Sequence, residues 1–169
     1  MNHTDTIFHQ VETDLIEKGF EFERKDMNRP WGGFWVIKEE QIEQFLQHFF
    51  PNLTLGKATR GQKVSPKILL VAPKKRLSWQ YHFRRSEIWK VIKGPVGISR
   101  SDTDEMVSPD TYSPGDVVTL KKGERHRLIG LEDWGIVAEI WQHTDPDHPS
   151  DENDIVRLQD DFARKTPTN

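Results

Sequence analysis

From Lys67 onward the chain is written in short strand-like runs, at 67–72, 77–82, 87–93, 96–101, 117–120, 126–129 and 135–142. Between them stand Pro73, Gly94-Pro95, the polar stretch Ser101–Glu105, Pro114-Gly115 and Lys122-Gly123. Short strands cut by turn signals about every ten residues point to an all-β barrel or sandwich. The final run alternates Ile136, Ala138 and Ile140 with Val137, Glu139 and Trp141, so both of its faces are expected to be covered.

Ahead of this block the period changes. Phe8, Val11, Leu15 and Ile16 give residues 5–19 one apolar helical face, with Gly19 as the stop. Arg29-Pro30-Trp31-Gly32-Gly33 reads as a turn and Phe34 to Ile37 as a strand. A second helix is expected from about Glu39 to Phe50, with Ile42, Phe45, Leu46 and Phe49 on one side and Pro51 ending it. These helices carry no evident chemistry and are expected to cover a side of the sheet or a partner subunit. After residue 142 an acidic loop, Asp145 to Asp154, leads to Ile155-Val156-Arg157-Leu158 and a polar tail. One domain, 1–169, is expected: a helical extension with a strand at 1–52, a core at 67–142 and a C-terminal segment at 143–169.

Composition narrows the function. The net charge of −3 lacks the clustered positive excess of a nucleic-acid binder. Without cysteine there is no disulfide, thiolate metal site or cysteine nucleophile. No apolar run suits a leader peptide or approaches the ~18 residues of a membrane span. A soluble, cytoplasmic protein is expected. Lys74-Lys75-Arg76 and Arg84-Arg85 read as solvated turns unless the fold sets them over a pocket.

One break carries chemistry. Leu77 to Trp89 opens as an aromatic-rich strand, turns at Arg84-Arg85 and re-enters a strand at Glu87. Alternate strand residues share a face, so Gln80 and His82 point the same way. If the strands flanking the turn pair, or lie side by side in a barrel, Glu87 converges on those two. With His126 of Gly123-Glu124-Arg125-His126 as fourth donor, the set would hold a divalent metal such as zinc or manganese. The plainer reading is a hydrogen-bonded strand histidine beside an ordinary glutamine, and no metal-specific spacing motif decides between the two. His3, His9, His48, His143 and His148 read as bystanders, and Trp31, Trp79 and Trp89 as core before sugar platforms.

Six pieces in order resemble the type II phosphomannose isomerase module of the cupins. They are Arg29-Pro30-Trp31-Gly32, Leu77–His82, Arg85–Trp89, Pro114-Gly115-Asp116, Gly123–Leu128, and Asp154–Leu158 with Asp160-Asp161-Phe162. That module also forms the C-terminal part of bifunctional mannose-1-phosphate guanylyltransferase/mannose-6-phosphate isomerase enzymes, whose nucleotide-binding Gly-rich turn has no counterpart in this chain. The resemblance implies an all-β cupin (jelly-roll) barrel with short N-terminal helices. It also implies one divalent metal ion, zinc first, with manganese, iron, cobalt or nickel as alternatives. By it Gln80, His82, Glu87 and His126 correspond to the metal ligands, Arg157 to an active-site arginine and Arg85 to a basic residue at the mouth. Arg29, Trp31, Lys67 and Ser78 are expected against substrate.

The implied activity is aldose–ketose isomerisation of a small-molecule sugar phosphate. Mannose-6-phosphate to fructose-6-phosphate comes first, and another substrate such as a heptose phosphate second. The rival from another class is a non-catalytic sugar-binding or regulatory cupin. A cupin epimerase or dioxygenase is a third reading, and Gln80 speaks against the dioxygenase, whose ligands are histidines with a carboxylate. The base stays open among hydroxide at the metal, a metal-side carboxylate and Glu139. A homodimer is implied by family habit, with no nucleic-acid or membrane partner. The chain departs from the family at Phe83, Arg84 and Ile88, where further histidines are usual, and at Pro73-Lys74-Lys75, where Pro-Gly is common. An altered pocket wall is the expected consequence.

Overall fold

The computed structural model describes residues 2–164, 166 and 167. Helix α1 (His3–Glu17) starts where the Asn2 side chain accepts the Asp5 amide, a cap for one of the orphan donors of the first turn. It buries Ile7, Phe8, Val11 and Leu15. Ile16, expected on that face, is 56% exposed, because one residue past Leu15 is a hundred-degree step round the helix, and Ile7 takes its place. Strands β1 (Phe22–Arg29) and β2 (Gly32–Ile37) follow, then a single 3-10 turn (Glu39–Gln41) and α2 (Ile42–Phe49), which buries Phe45 and Phe49.

The remaining strands are β3 (Lys67–Val71), β4 (Trp79–Tyr81), β5 (Arg85–Lys93), β6 (Val96–Ser101) and β7 (Asp110–Tyr112). After them come β8 (Val117–Leu120), β9 (Arg125–Gly130), β10 (Gly135–His143) and β11 (Val156–Gln159). They form two antiparallel sheets, one in the order β1-β2-β3-β10-β5-β8 and the other β11-β4-β9-β6-β7. All seven runs read as strands from Lys67 onward form. The sequence does not announce β1, β7 or β11, and each is a sheet edge with a largely exposed pattern. An edge strand paired on one side and wet on the other needs no apolar alternation.

Two cores result. Val91, Val96, Ile98, Leu128 and Val137 pack between the sheets, while Ala138 and Ile140 face outward onto Phe8, Trp35, Phe45 and the helices. The strands in the middle of the larger sheet are thus apolar on both faces, as the alternation along β10 predicts. The helices cover the outer face of that sheet.

The inner face changes character along the strands. Leu69, Val137 and Val91 lie in register across β3, β10 and β5; the next inward row is Lys67, Glu139 and Trp89, followed by Trp141 and Glu87. Two rows turn an apolar interior into a polar end. The expectation that the strands flanking Arg84-Arg85 pair with each other is not met. β4 pairs with β11 and β9, and β5 with β10 and β8, so the turn crosses from one sheet to the other. Residues on either side of the turn therefore face each other across the interior.

Candidate metal centre

At that polar end His82 and His126 from one side meet Glu87 from the other. Both imidazole Nε2 atoms approach the same carboxylate oxygen, Glu87 Oε1, at 3.2 Å from His82 and 3.1 Å from His126. One ligand atom from each of the three residues falls within 4.8 Å of the others, and all three are buried. The ring centroids lie 5.1 Å apart, and Trp89 stands edge-on to His126. Gln80 is the register partner of His126 on β4 and lines the same cavity. Its Oε1 accepts the Ser78 hydroxyl at 2.8 Å, and an amide oxygen has a second lone pair for a further partner.

Tautomers decide what this cluster is suited to. His82 Nδ1 lies 2.7 Å from the Asp154 carbonyl and His126 Nδ1 3.0 Å from the Glu124 carbonyl. A carbonyl only accepts, so each Nδ1 carries a proton, and each Nε2 is left facing Glu87 Oε1. Burial lowers the His82 pKa and favours the neutral ring. Burial alone would raise the Glu87 carboxyl, but His82, Arg85 and His126 outweigh it and hold it well below the ordinary carboxylate value. A protonated Nε2 donates to Glu87 Oε1, and a ring that gives up that proton turns a lone pair to the same point, where a cation would take the proton's place. The donor set of two imidazoles, a carboxylate and an amide oxygen fits a divalent metal.

The surrounding groups fix these orientations. Asp154 accepts the Phe83 and Arg84 amides at 2.9 Å each and the Ser150 hydroxyl at 2.6 Å, clamping the turn that carries His82. Burial would raise its pKa, yet those bonds prevail and lower it. The Gly123 amide donates to the His82 carbonyl at 2.9 Å, tying the two histidine-bearing segments together. Gly123 sits at φ +78°, the left-handed region that glycine enters without strain. His143, read as a bystander, is buried and structural, bonded to the Lys63 carbonyl and the Ser150 amide.

Arg85 is no solvated turn residue. Only 5% exposed, it lies against Trp141 and donates from Nε to Glu87 Oε2 at 3.2 Å and from Nη1 to Ser150 Oγ and the Asp151 carbonyl. Ser78 meets the site through Gln80 and is not part of the cavity wall. A cavity of about 320 Å³ opens above the cluster, lined by Gln80, His82, Glu87 and Trp89 and, of the other expected site residues, by Arg29, Trp31, Lys67, Arg85 and Arg157. Arg24, Arg164, Glu139 and Glu152 complete its charged lining. Arg157 lies opposite Gln80 in the β11–β4 register, where burial and then the neighbouring Arg164 charge lower its pKa. Arg24 and Arg164 escape the sequence because one sits on an unannounced edge strand and the other in a polar tail. Of the departures from the family, Ile88 packs in the outer core, while Phe83 and Arg84 line a second hollow that shares Asn153, Ile155 and Pro167 with this cavity.

The family model described as mannose-6-phosphate isomerase C-terminal matches residues 46–160. A search of curated protein sequences returned no match. Among solved structures, the capsular polysaccharide assembling protein CapF from Staphylococcus aureus is 14% identical, with a TM-score of 0.53 over 83% of this chain and 34% of CapF. Vicilin from tomato, Solanum lycopersicum, is 19% identical, with a TM-score of 0.51 over 77% of this chain and 32% of vicilin. A cupin-superfamily sugar phosphate isomerase from Silicibacter pomeroyi matches at 15% identity and a TM-score of 0.42, over 50% of this chain and 54% of its own. The chain spans about a third of CapF and of vicilin, and at these identities the likeness is one of fold. The chain belongs to the mannose-6-phosphate isomerase C-terminal family, a cupin family of the sugar-phosphate isomerase kind.

Proposed function

We propose that the protein is a metal-dependent aldose–ketose isomerase of a sugar phosphate, with mannose-6-phosphate and fructose-6-phosphate as the first pair. The observation that carries this reading is the pairing of two opposite demands in one cavity. Its floor is a cluster suited to a divalent cation, and its wall carries Arg29 and Arg157, suited to an anion, beside Arg164, which is paired with Asp160. A sugar phosphate meets both, with carbonyl and hydroxyl oxygens at the floor and the dianion at the arginines.

Gln80, His82, Glu87 and His126 would hold the metal, which supplies Lewis-acid polarisation of a carbonyl and its neighbouring hydroxyl. Arg85 holds Glu87 in place from behind. Arg157 and Arg29 would bind phosphate or developing enediolate charge through charge-assisted, fork-shaped hydrogen bonds. Trp31 and Phe34 supply an apolar wall. The test is a panel of aldose phosphates, mannose and heptose phosphates included, offered to metal-loaded protein with ketose phosphate as the readout. Turnover is expected with mannose-6-phosphate. If no member of the panel is converted while one raises the melting temperature, the protein is a sugar-phosphate binder instead.

A further inference from the structure

We infer that Glu139 is the group that carries the proton between adjacent substrate carbons, with Lys67 as its positioning residue. The inference rests on the isomerase reading and adds the proton-transfer group that reading lacks. Glu139 is only 5% exposed, yet it forms part of the cavity wall, one inward row from Glu87 on the neighbouring strand. Its Oε1 accepts the Trp89 indole N–H at 2.9 Å, and its Oε2 lies 3.7 Å from Lys67 Nζ.

The other carboxylates near the cavity are committed elsewhere. Glu87 gives one oxygen to the two imidazoles and the other to Arg85. Asp154 clamps the Phe83–Arg84 turn, and Glu152, half exposed, pairs with Arg24 and Lys67. Lys67 Nζ stands between the Glu139 and Glu152 carboxyl groups, 3.7 Å from each. That leaves Glu139 as a buried carboxyl with one oxygen bonded to the Trp89 indole and the other facing Lys67 Nζ.

Its surroundings suit the task. Burial first, and then the Glu87 charge, push the Glu139 carboxyl up to about 8, while Lys67, Arg85 and the Trp89 bond pull it down. A general base works best with its pKa near the working pH. As carboxylate, Glu139 takes the proton from C2 of the aldose; the C2–H bonding pair becomes the C1–C2 double bond, and the carbonyl pair moves onto O1, giving the enediolate. The resulting acid returns the proton to C1, drawing on the C1–C2 double-bond pair, while the O2 proton passes to O1 and the O2–H pair forms the C2 carbonyl. No oxidant or further reactant is needed.

The experiment compares metal-loaded wild type with Glu139→Gln and Glu139→Ala on the aldose phosphate that the wild type converts, with metal content and melting temperature confirming each fold. Glu139→Gln is expected to lose ~10²–10⁴-fold in kcat with KM nearly unchanged, and to lose the rise of rate with pH. Added formate is expected to restore part of the rate to Glu139→Ala and none to the wild type. An active wild type with a Gln variant of equal kcat and the same pH profile overturns the role of Glu139 and leaves the isomerase reading standing. A wild type inert toward every aldose phosphate overturns both.

Discussion

His82 and His126 owe their aim to what lies behind them. Each ring gives its Nδ1 proton to a backbone carbonyl, and the carbonyl of Asp154 is itself held by that residue's grip on the Phe83 and Arg84 amides. Outer partners of this kind usually govern metal affinity by 10–100-fold. Asp154→Ala is therefore expected to weaken the bound metal by about that factor in a chelator competition, and an unchanged affinity would show that His82 needs no such support. Arg157→Ala should keep the metal and lower turnover by about 10²–10³, as removal of one charge-stabilising donor does. Normal turnover in that variant would remove Arg157 from the mechanism. The candidate ligands were legible because strand alternation and residue order carry them. Arg85 was not, since nothing in the pair Arg84-Arg85 tells which of the two begins a strand and turns inward beneath Trp141.

β11 shows how an element can be essential to the site and nearly silent in the sequence. It is a four-residue edge strand, yet it brings Arg157 opposite Gln80. Arg127 fastens it from below: this buried guanidinium donates to the Leu77 carbonyl at 2.7 Å, to Gln159 Oε1 at 2.9 Å and to the Gln159 carbonyl at 3.1 Å. Burial lowers its pKa to about 10, which leaves it charged at neutral pH. Arg127→Met strips those acceptors and is expected to destabilise the fold by about 1–3 kcal/mol. The same variant should retain the metal but raise KM, because Arg157 loses its rigid support. A variant with wild-type KM would mean that β11 is held without Arg127. The central strands were legible because they must be apolar on both faces. β1, β7 and β11 were not, because their partners lie on one side and water on the other.

At the scale of the whole molecule, carboxyl groups paired or buried by the fold set the pH range of stability. Asp154, Asp160, Asp161 and Glu124 have lowered folded-state pKa values. Their contribution is present above the unfolded carboxylate values and is lost as pH falls through the folded ones. Glu139 has the opposite sign. Raised from 4.5 to about 8, it leaves stability intact below 4.5 and erodes it as pH rises through 8. Metal-free Glu139→Gln is therefore expected to melt above the wild type at pH 8 and beyond, and to match it near pH 4.5. Equal melting curves at both pH values would show that the Glu139 carboxyl is not perturbed. Strand breakers and residue order carried the two-sheet architecture and the family, whereas the cavity charges came from five separate segments that only the fold brings together. Among the described residues no helix is long and apolar enough to cross a membrane.

The central claim is that Gln80, His82, Glu87 and His126 share one divalent cation. The direct measurement is metal content by elemental analysis, with the ion located by anomalous scattering, in wild type and in folded His82→Ala and Glu87→Gln variants. The account predicts about one metal per chain in the wild type, placed between His82 and His126, and little or none in either variant. Protein purified and reloaded without metal, or variants that bind as much metal as the wild type, would contradict it.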